Sequence, residues 1–357
     1  MKHFLSLVTI GICALPVILL SQRFDSSYFF RQQFAAGTPE QFHFSRIPAA
    51  TGTEDWKHSS TRLFTDRNDN SGLFGASPYF FLYSDTLSDE KINTSRLWIV
   101  GGSLAAANVG IMAYYFTTYY SKKESERNTW HVFNDWYNSD MNMDKFGHMW
   151  VTQAYAHSMY PLFRWTNMSE QSSIFLSAGL GWLFEFEMEN TDAMYKKWGF
   201  SLGDVAANTV GALWYIAQNS YAPLQSLNLK WSYLPSPSYR KGWLNYPLKD
   251  YEGMTFWLAV TLYDFLPESI QQYYPSWLGI AVGRSITNAV IGKELFKTNN
   301  GKGAGDEEWY IAFDYDLRKL PGDTPFLRFL KEELNLIHFP APTIRITPSV
   351  IYYGLYF

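Results

Sequence analysis

The chain has 357 residues and a formal net charge of −4, from 29 Lys and Arg against 33 Asp and Glu. That length is enough for two or three hydrophobic cores. With no concentrated basic surface the sequence excludes nucleic acid as a partner, and with no phosphate-cradling Gly-rich loop it excludes a nucleotide. Aromatic residues make up 18% of the chain, and Tyr and Trp, apolar in body and polar at one edge, suit membrane boundaries and wet interfaces. The single cysteine, Cys13, lies in an N-terminal apolar run, which excludes disulfides, Cys-zinc sites and a thiol nucleophile from a mature protein that has lost that run.

In chain order, residues 1–21 read as a secretory signal peptide: Lys2 and His3, an apolar run from Phe4 to Leu20, then a polar flank at Ser21, Gln22 and Arg23. An uncleaved anchor helix is the competing reading, since the run nearly reaches spanning length. Acylation of Cys13 is not expected, because Ile12 stands where a lipoprotein site wants a small residue. Residues 22–93 form an irregular N-terminal segment. Within it Asp66 to Gly72 resembles half of a calcium loop, but Ser77 occupies the twelfth position, where a Glu is needed, so a turn is expected.

Helices are predicted over 95–120, from 144 to about 161, over 169–192 and over 201–219, giving a helical bundle domain at 94–220. Small residues recur at Gly102, Ala106 and Gly110, at Ser177 and Gly181, and at Gly203, Ala207 and Gly211. Three such seams predict one tightly packed bundle. From residue 224 to 357 the periodicity changes to two, with strands predicted at 227–233, 254–264, 277–286, 308–317 and 344–357. The fold class is therefore α+β: a bundle of about four helices, then an antiparallel β layer of five or six strands. Ile351, Tyr353, Leu355 and Phe357 are expected to form one apolar face on the last strand. That is the terminal signature of an outer-membrane barrel, so closure of the layer into a barrel is an open alternative to a strand packed on the helices.

Polar residues on the predicted helices carry the candidate chemistry. Asp144 and His148 are four apart and share a helix face, continued by Thr152 and Tyr155, with His157 nearly opposite. Glu185 and Glu189 form a second such pair, joined by Asp192, and Asp204 and Asn208 a third. Each has a plainer role as well. Asp144 suits the positive end of a helix dipole, and Ser201 with Asp204 fits a capping box. Asn208 falls in the packed middle of a helix, where its amide needs partners such as Asp204, His148 or Glu189.

Asp144, Lys145 and His148, then Glu189 and Asp192, then Trp198, Gly199, Ser201, Asp204 and Asn208 form a pattern that resembles the YfiM-like family of predicted periplasmic lipoproteins, a domain of unknown function. Longer members resemble this chain also at Phe133-Asn134-Asp135 and from Lys249 to Leu258, so the resemblance covers roughly residues 95–345. More distantly, the Asp144/His148 and Asp204/Asn208 elements resemble VanZ-like membrane proteins. The resemblance implies a cell-envelope location, periplasmic or outer-membrane associated, and no known reaction.

Two functions follow. The first is a non-enzymatic envelope protein with a structural or interaction role at a membrane or beside an envelope partner. Its bundle would be stabilised by Asp144, His148, Asp204 and Asn208, with Ser201 in the same network. The alternative is a metal-dependent or acid–base hydrolase acting on a lipid or cell-wall substrate. Its catalytic candidates are His148, Glu189, Asp192 and Asp204, and its candidate ligands for a divalent metal are Asp144, His148, Glu189 and Asp192.

Overall fold

The computed structural model describes residues 91–121, 126–136, 140–241, 247–288 and 305–357. The expected signal peptide with Cys13, the irregular segment as far as residue 90 and the turn at 66–72 lie outside the described residues.

Helix α1 (Thr94–Tyr115) starts where the Asn93 side chain accepts the Arg96 N–H, and one π-helical stretch carries it on to Tyr120. After the two-residue strand β1 (Val132–Phe133) come α2 (Met143–Trp165) and α3 (Glu170–Asp192), the latter capped by Ser169. Strand β2 (Phe200–Ser201) pairs in parallel with β1 and leads directly into α4 (Leu202–Ser220). Helix α2 continues through Pro161 and ends soon after it, at Trp165.

Two of the three small-residue seams pack. A Cβ on Gly181 of α3 would stand 2.9 Å from the Thr152 carbonyl oxygen, and one on Gly211 of α4 would stand 2.2 Å from that of Met149. Both helices therefore approach the α2 backbone as closely as only glycine allows. Among the described residues the seam on α1 does not pack: nothing lies within 4 Å of a Cβ placed on Gly102 or Gly110. Instead α1 buries Val100 against Met159, Leu162, Phe163 and Met168, and leaves Trp98, Ile99, Val109 and Phe116 exposed. The tight bundle is thus α2, α3 and α4, with α1 leaning on it.

The second layer is one six-stranded antiparallel sheet: β3 (Leu227–Tyr233), β4 (Met254–Val260), β5 (Leu278–Thr287), β6 (Asp306–Tyr315), β7 (Ala341–Thr347) and β8 (Ile351–Tyr356), adjacent in that order. Single-turn helices α5 (Pro237–Arg240) and α6 (Glu268–Gln271) and the longer α7 (Pro325–Leu334) lie in its connections. The sheet is open rather than a closed barrel. At the β3 edge, the Trp231 N–H donates to the Leu336 carbonyl at 3.0 Å and the Trp231 carbonyl accepts from the His338 N–H at 2.9 Å, so these backbone groups are satisfied by the segment that leads into β7.

The stretch expected as one terminal strand is two, β7 and β8, with an irregular register between Ala341 and Thr343. Tyr353 and Tyr356 both pack on the inner Tyr310 ring, at 6.4 and 4.6 Å between centroids. Residues 351, 353, 355 and 357 therefore do not form one uniform outer face.

The two sheet faces differ. Inward lie Trp257 stacked on His338 and a buried ion pair between Lys230 and Asp314 at 2.8 Å, with His338 on the same carboxyl at 2.9 Å. Outward, one end is covered by the bundle, where Met143 and Trp150 of α2 pack on Met254, Phe256, Ile286 and Leu336. Full burial of each such side chain is worth about 1.5–3 kcal/mol. Arg284 of β5 reaches through this contact to the Met141 carbonyl at 2.7 Å and lies over the Phe146 ring. The sheet thereby fixes the start of α2, the end that carries the polar site.

Candidate functional site

Antiparallel packing brings the first turns of α2 and α4 to the last turns of α3. The two N-termini favour negative charge there, but Glu185, Glu189 and Asp192 lie in the final turns of α3, against the dipole of their own helix. Something besides helix electrostatics must hold them.

Lys145 is the first compensation. Its side chain is buried, and Nζ meets Asp135, Asp144 at 3.0 Å and Asp204 Oδ1 at 2.7 Å. Burial works against its charge, yet the carboxylates prevail and raise its pKa above the ordinary lysine value. Asp135 is delivered by the segment after β1, which the parallel pairing holds beside Ser201. Asp144 is raised by burial and by the neighbouring Asp204.

Ser201 links the two halves. Its hydroxyl accepts the Asp204 N–H at 3.0 Å, which caps α4, and donates to Asp135 at 2.8 Å. In a capping box the third helical residue would accept the Ser201 N–H in return. Here Glu189 of α3 accepts it instead, at 3.1 Å. Asp204 is thus released from capping and turns both carboxylate oxygens into the site.

His148 occupies the centre. Nδ1 stands 3.1 Å from Asn208 Oδ1 and 3.1 Å from Glu185 Oε2. Both partners accept, so Nδ1 carries the proton. Nε2 faces Glu189 Oε1 at 3.6 Å and Asp204 Oδ2 at 3.7 Å. Burial opposes protonation of the ring, but the Glu185 hydrogen bond and the Asp204 and Glu189 charges push its pKa up to about 10. Burial pushes Glu189 up to about 8, partly offset by His148. Both groups thus hold their protons to higher pH than usual, and they titrate as a coupled pair. The His148 side chain retains 22% exposure, whereas those of Glu189 and Asp204 retain 3% and 9%. Asn208 is fully buried. Its Oδ1 also accepts from Thr152 at 3.2 Å, while its Nδ2 has no acceptor among the described residues.

Of the residues expected from the sequence, His148, Glu189, Asp204, Asn208 and Ser201 meet in this centre. Asp144 stands on one flank, paired with Lys145. Asp192 stands on the other, hydrogen-bonded by the Tyr120 hydroxyl and pushed up to about 6 by burial. His157, on the far side of α2, stacks edge-on against Tyr215. Sequence reasoning assigned no site role to Glu185, Lys145 or Asp135. Glu185 had a signal, four residues before Glu189. Asp135 had none beyond its place in the family pattern, since only the β1–β2 pairing brings it in. Beside Asp192 lies an aromatic wall in which Tyr120 stacks on Tyr195, and Lys249 lies over Trp198 and Tyr119.

No curated protein matches this chain, and no solved structure does. The stretch that builds the centre, residues 133–219, matches the model of a family described as predicted periplasmic lipoprotein (DUF2279), which places the protein in the cell envelope.

Proposed function

We propose that this envelope protein acts in contact with a membrane, seating the outer face of its sheet and the exposed side of α1 against lipid, with the polar centre as the functional core of the bundle. One observation carries this reading. Leu258, Val282, Ile311 and Ile344 are directly paired across β4 to β7, and each is 39–47% exposed. Ile280 and Phe313 form a second exposed pair beside them. A contiguous apolar band of this kind marks a surface for a membrane or a protein partner. The segment Thr94–Tyr120 adds support: it is long and apolar enough to cross a membrane, with 11% of its apolar window buried.

The test is flotation of the full chain with liposomes of bacterial phospholipid. Wild type is expected in the lipid fraction, and the double variant Val282→Glu/Ile311→Glu is expected to remain below. Recovery of wild type entirely in the soluble fraction would overturn the reading.

A second reading, hydrolysis of a lipid or cell-wall substrate at the same centre, is favoured by the partial exposure of His148 beside the carboxyls of Glu189 and Asp204. Turnover that persists in Glu189→Gln would dismiss it.

A further inference from the structure

The donor set at His148 has a geometry that hydrogen bonding does not account for. Nδ1 is held as a donor by Glu185 and Asn208, which leaves Nε2 directed at Glu189 and Asp204. At 3.6 and 3.7 Å those oxygens lie beyond a normal hydrogen bond. They do match the spacing between donors that share one ion: two ligands each about 2.1 Å from a tetrahedral cation are about 3.4 Å apart. One ligand atom from each of His148, Glu189 and Asp204 lies within 4.8 Å of the other two.

We propose that His148 Nε2, Glu189 Oε1 and Asp204 Oδ2 bind one divalent transition-metal ion, with Glu185 and Asn208 orienting the imidazole.

Three independent features support this. A metal-ligating histidine characteristically donates its other ring N–H to a carboxylate or carbonyl, and Glu185 and Asn208 occupy that place. Among the described residues, the carboxylates Asp135, Asp144, Glu185, Glu189, Asp192 and Asp204 converge on a region whose cations are Lys145 and Lys249 besides the imidazole, so a further positive charge is electrostatically favoured. Finally, Asn208 Nδ2 is a buried donor beside the cluster without an acceptor among the described residues, suited to a metal-bound water or anion. The other carboxylate group, Asp135, Asp144 and Asp204, already surrounds the Lys145 ammonium and is not an ion site. One nitrogen with two carboxylates selects a borderline ion such as Zn²⁺ or Mn²⁺ over Ca²⁺, and three protein ligands leave room for a water or substrate oxygen. This inference does not depend on the membrane reading, because a chain that fails to float would still bind metal.

The experiment is titration calorimetry of the chelator-treated full chain with Zn²⁺ and with Mn²⁺, and metal analysis after desalting. One equivalent of at least one ion is expected. Glu189→Gln, close to isosteric, should lose binding, and His148→Ala likewise. Glu185→Gln should weaken it by about 10- to 100-fold, whereas Glu333→Gln, at a carboxylate that bonds Ser158 outside the cluster, should leave it within about twofold. Circular dichroism checks that each variant is folded, and Glu189→Gln carries the test where His148→Ala is not. A folded wild-type chain that binds neither ion would overturn the proposal and leave a proton as the occupant. Stoichiometric binding that survives in Glu189→Gln would overturn it equally, by placing the ion elsewhere.

Discussion

Gly211→Ala tests whether the site depends on the close approach of α4 to α2. In an isolated helix this change is stabilising by about 1 kcal/mol, since alanine is the better helix former. In the folded protein the new Cβ would lie 2.2 Å from the Met149 carbonyl oxygen, 3.0 Å from its carbonyl carbon and 3.1 Å from its Cα. All three atoms are backbone and cannot rotate away, so ordinary contact requires the helices to part by about 1 Å. Overpacking of that kind costs about 1–3 kcal/mol and sometimes more. A backbone clash this short belongs in the upper half of that range, so the net expectation is a loss of about 1–2 kcal/mol, or a fall in Tm of about 1–3 °C in a chain of this size. Because α2 carries His148 and α4 carries Asp204 and Asn208, the separation should also weaken metal uptake at the proposed centre. Gly110→Ala on α1 is the control: nothing lies within 4 Å of the added carbon, so Tm should hold or rise. Differential scanning calorimetry of both variants decides the matter. If Gly211→Ala melts at or above wild type, the close packing of α2 and α4 is not what positions the site.

Ser201→Ala removes the cap of α4 and the contact to Asp135 together, and should cost about 1–2 kcal/mol in urea unfolding. Lys230→Ala strands Asp314 and the adjacent His338 inside the sheet; a loss of about 3–5 kcal/mol is expected, and a loss under about 1 kcal/mol would refute the structural role assigned to that pair. A pH effect is predicted at Glu333, which accepts a hydrogen bond from Ser158 at 2.9 Å and which burial pushes up to about 7. The folded state then binds its proton more tightly than the unfolded state does, so this group costs stability as pH rises from about 4.5 to about 7. Glu333→Gln, which mimics the protonated form, should raise Tm at pH 8 and leave it unchanged at pH 4; an equal shift at both would exclude titration of Glu333 as the cause.

What sequence alone determined was local. Helix starts at Asn93, Ser169 and Ser201 follow from side chains that reach their own backbone N–H groups, and β3 follows from strict alternation over Leu227–Tyr233. The i,i+4 spacing of His148 with Thr152 and of Asp204 with Asn208 placed donors on helix faces, because helical geometry admits only that arrangement. Tertiary structure decided which faces meet. The seam on α1 has the same residue spacing as those on α3 and α4, yet among the described residues nothing packs on its glycines, since spacing states what could approach and not what does. Asp204 looked like half of a capping box until Glu189, from another helix, took the Ser201 N–H and freed it. Asp135 and Lys145 entered only through the β1–β2 pairing and the burial of an ammonium among carboxylates. The terminal tyrosines turned inward because an irregular register broke the period of two. Each of these depends on contacts distant in sequence, where local preference is weak and packing geometry sets the outcome.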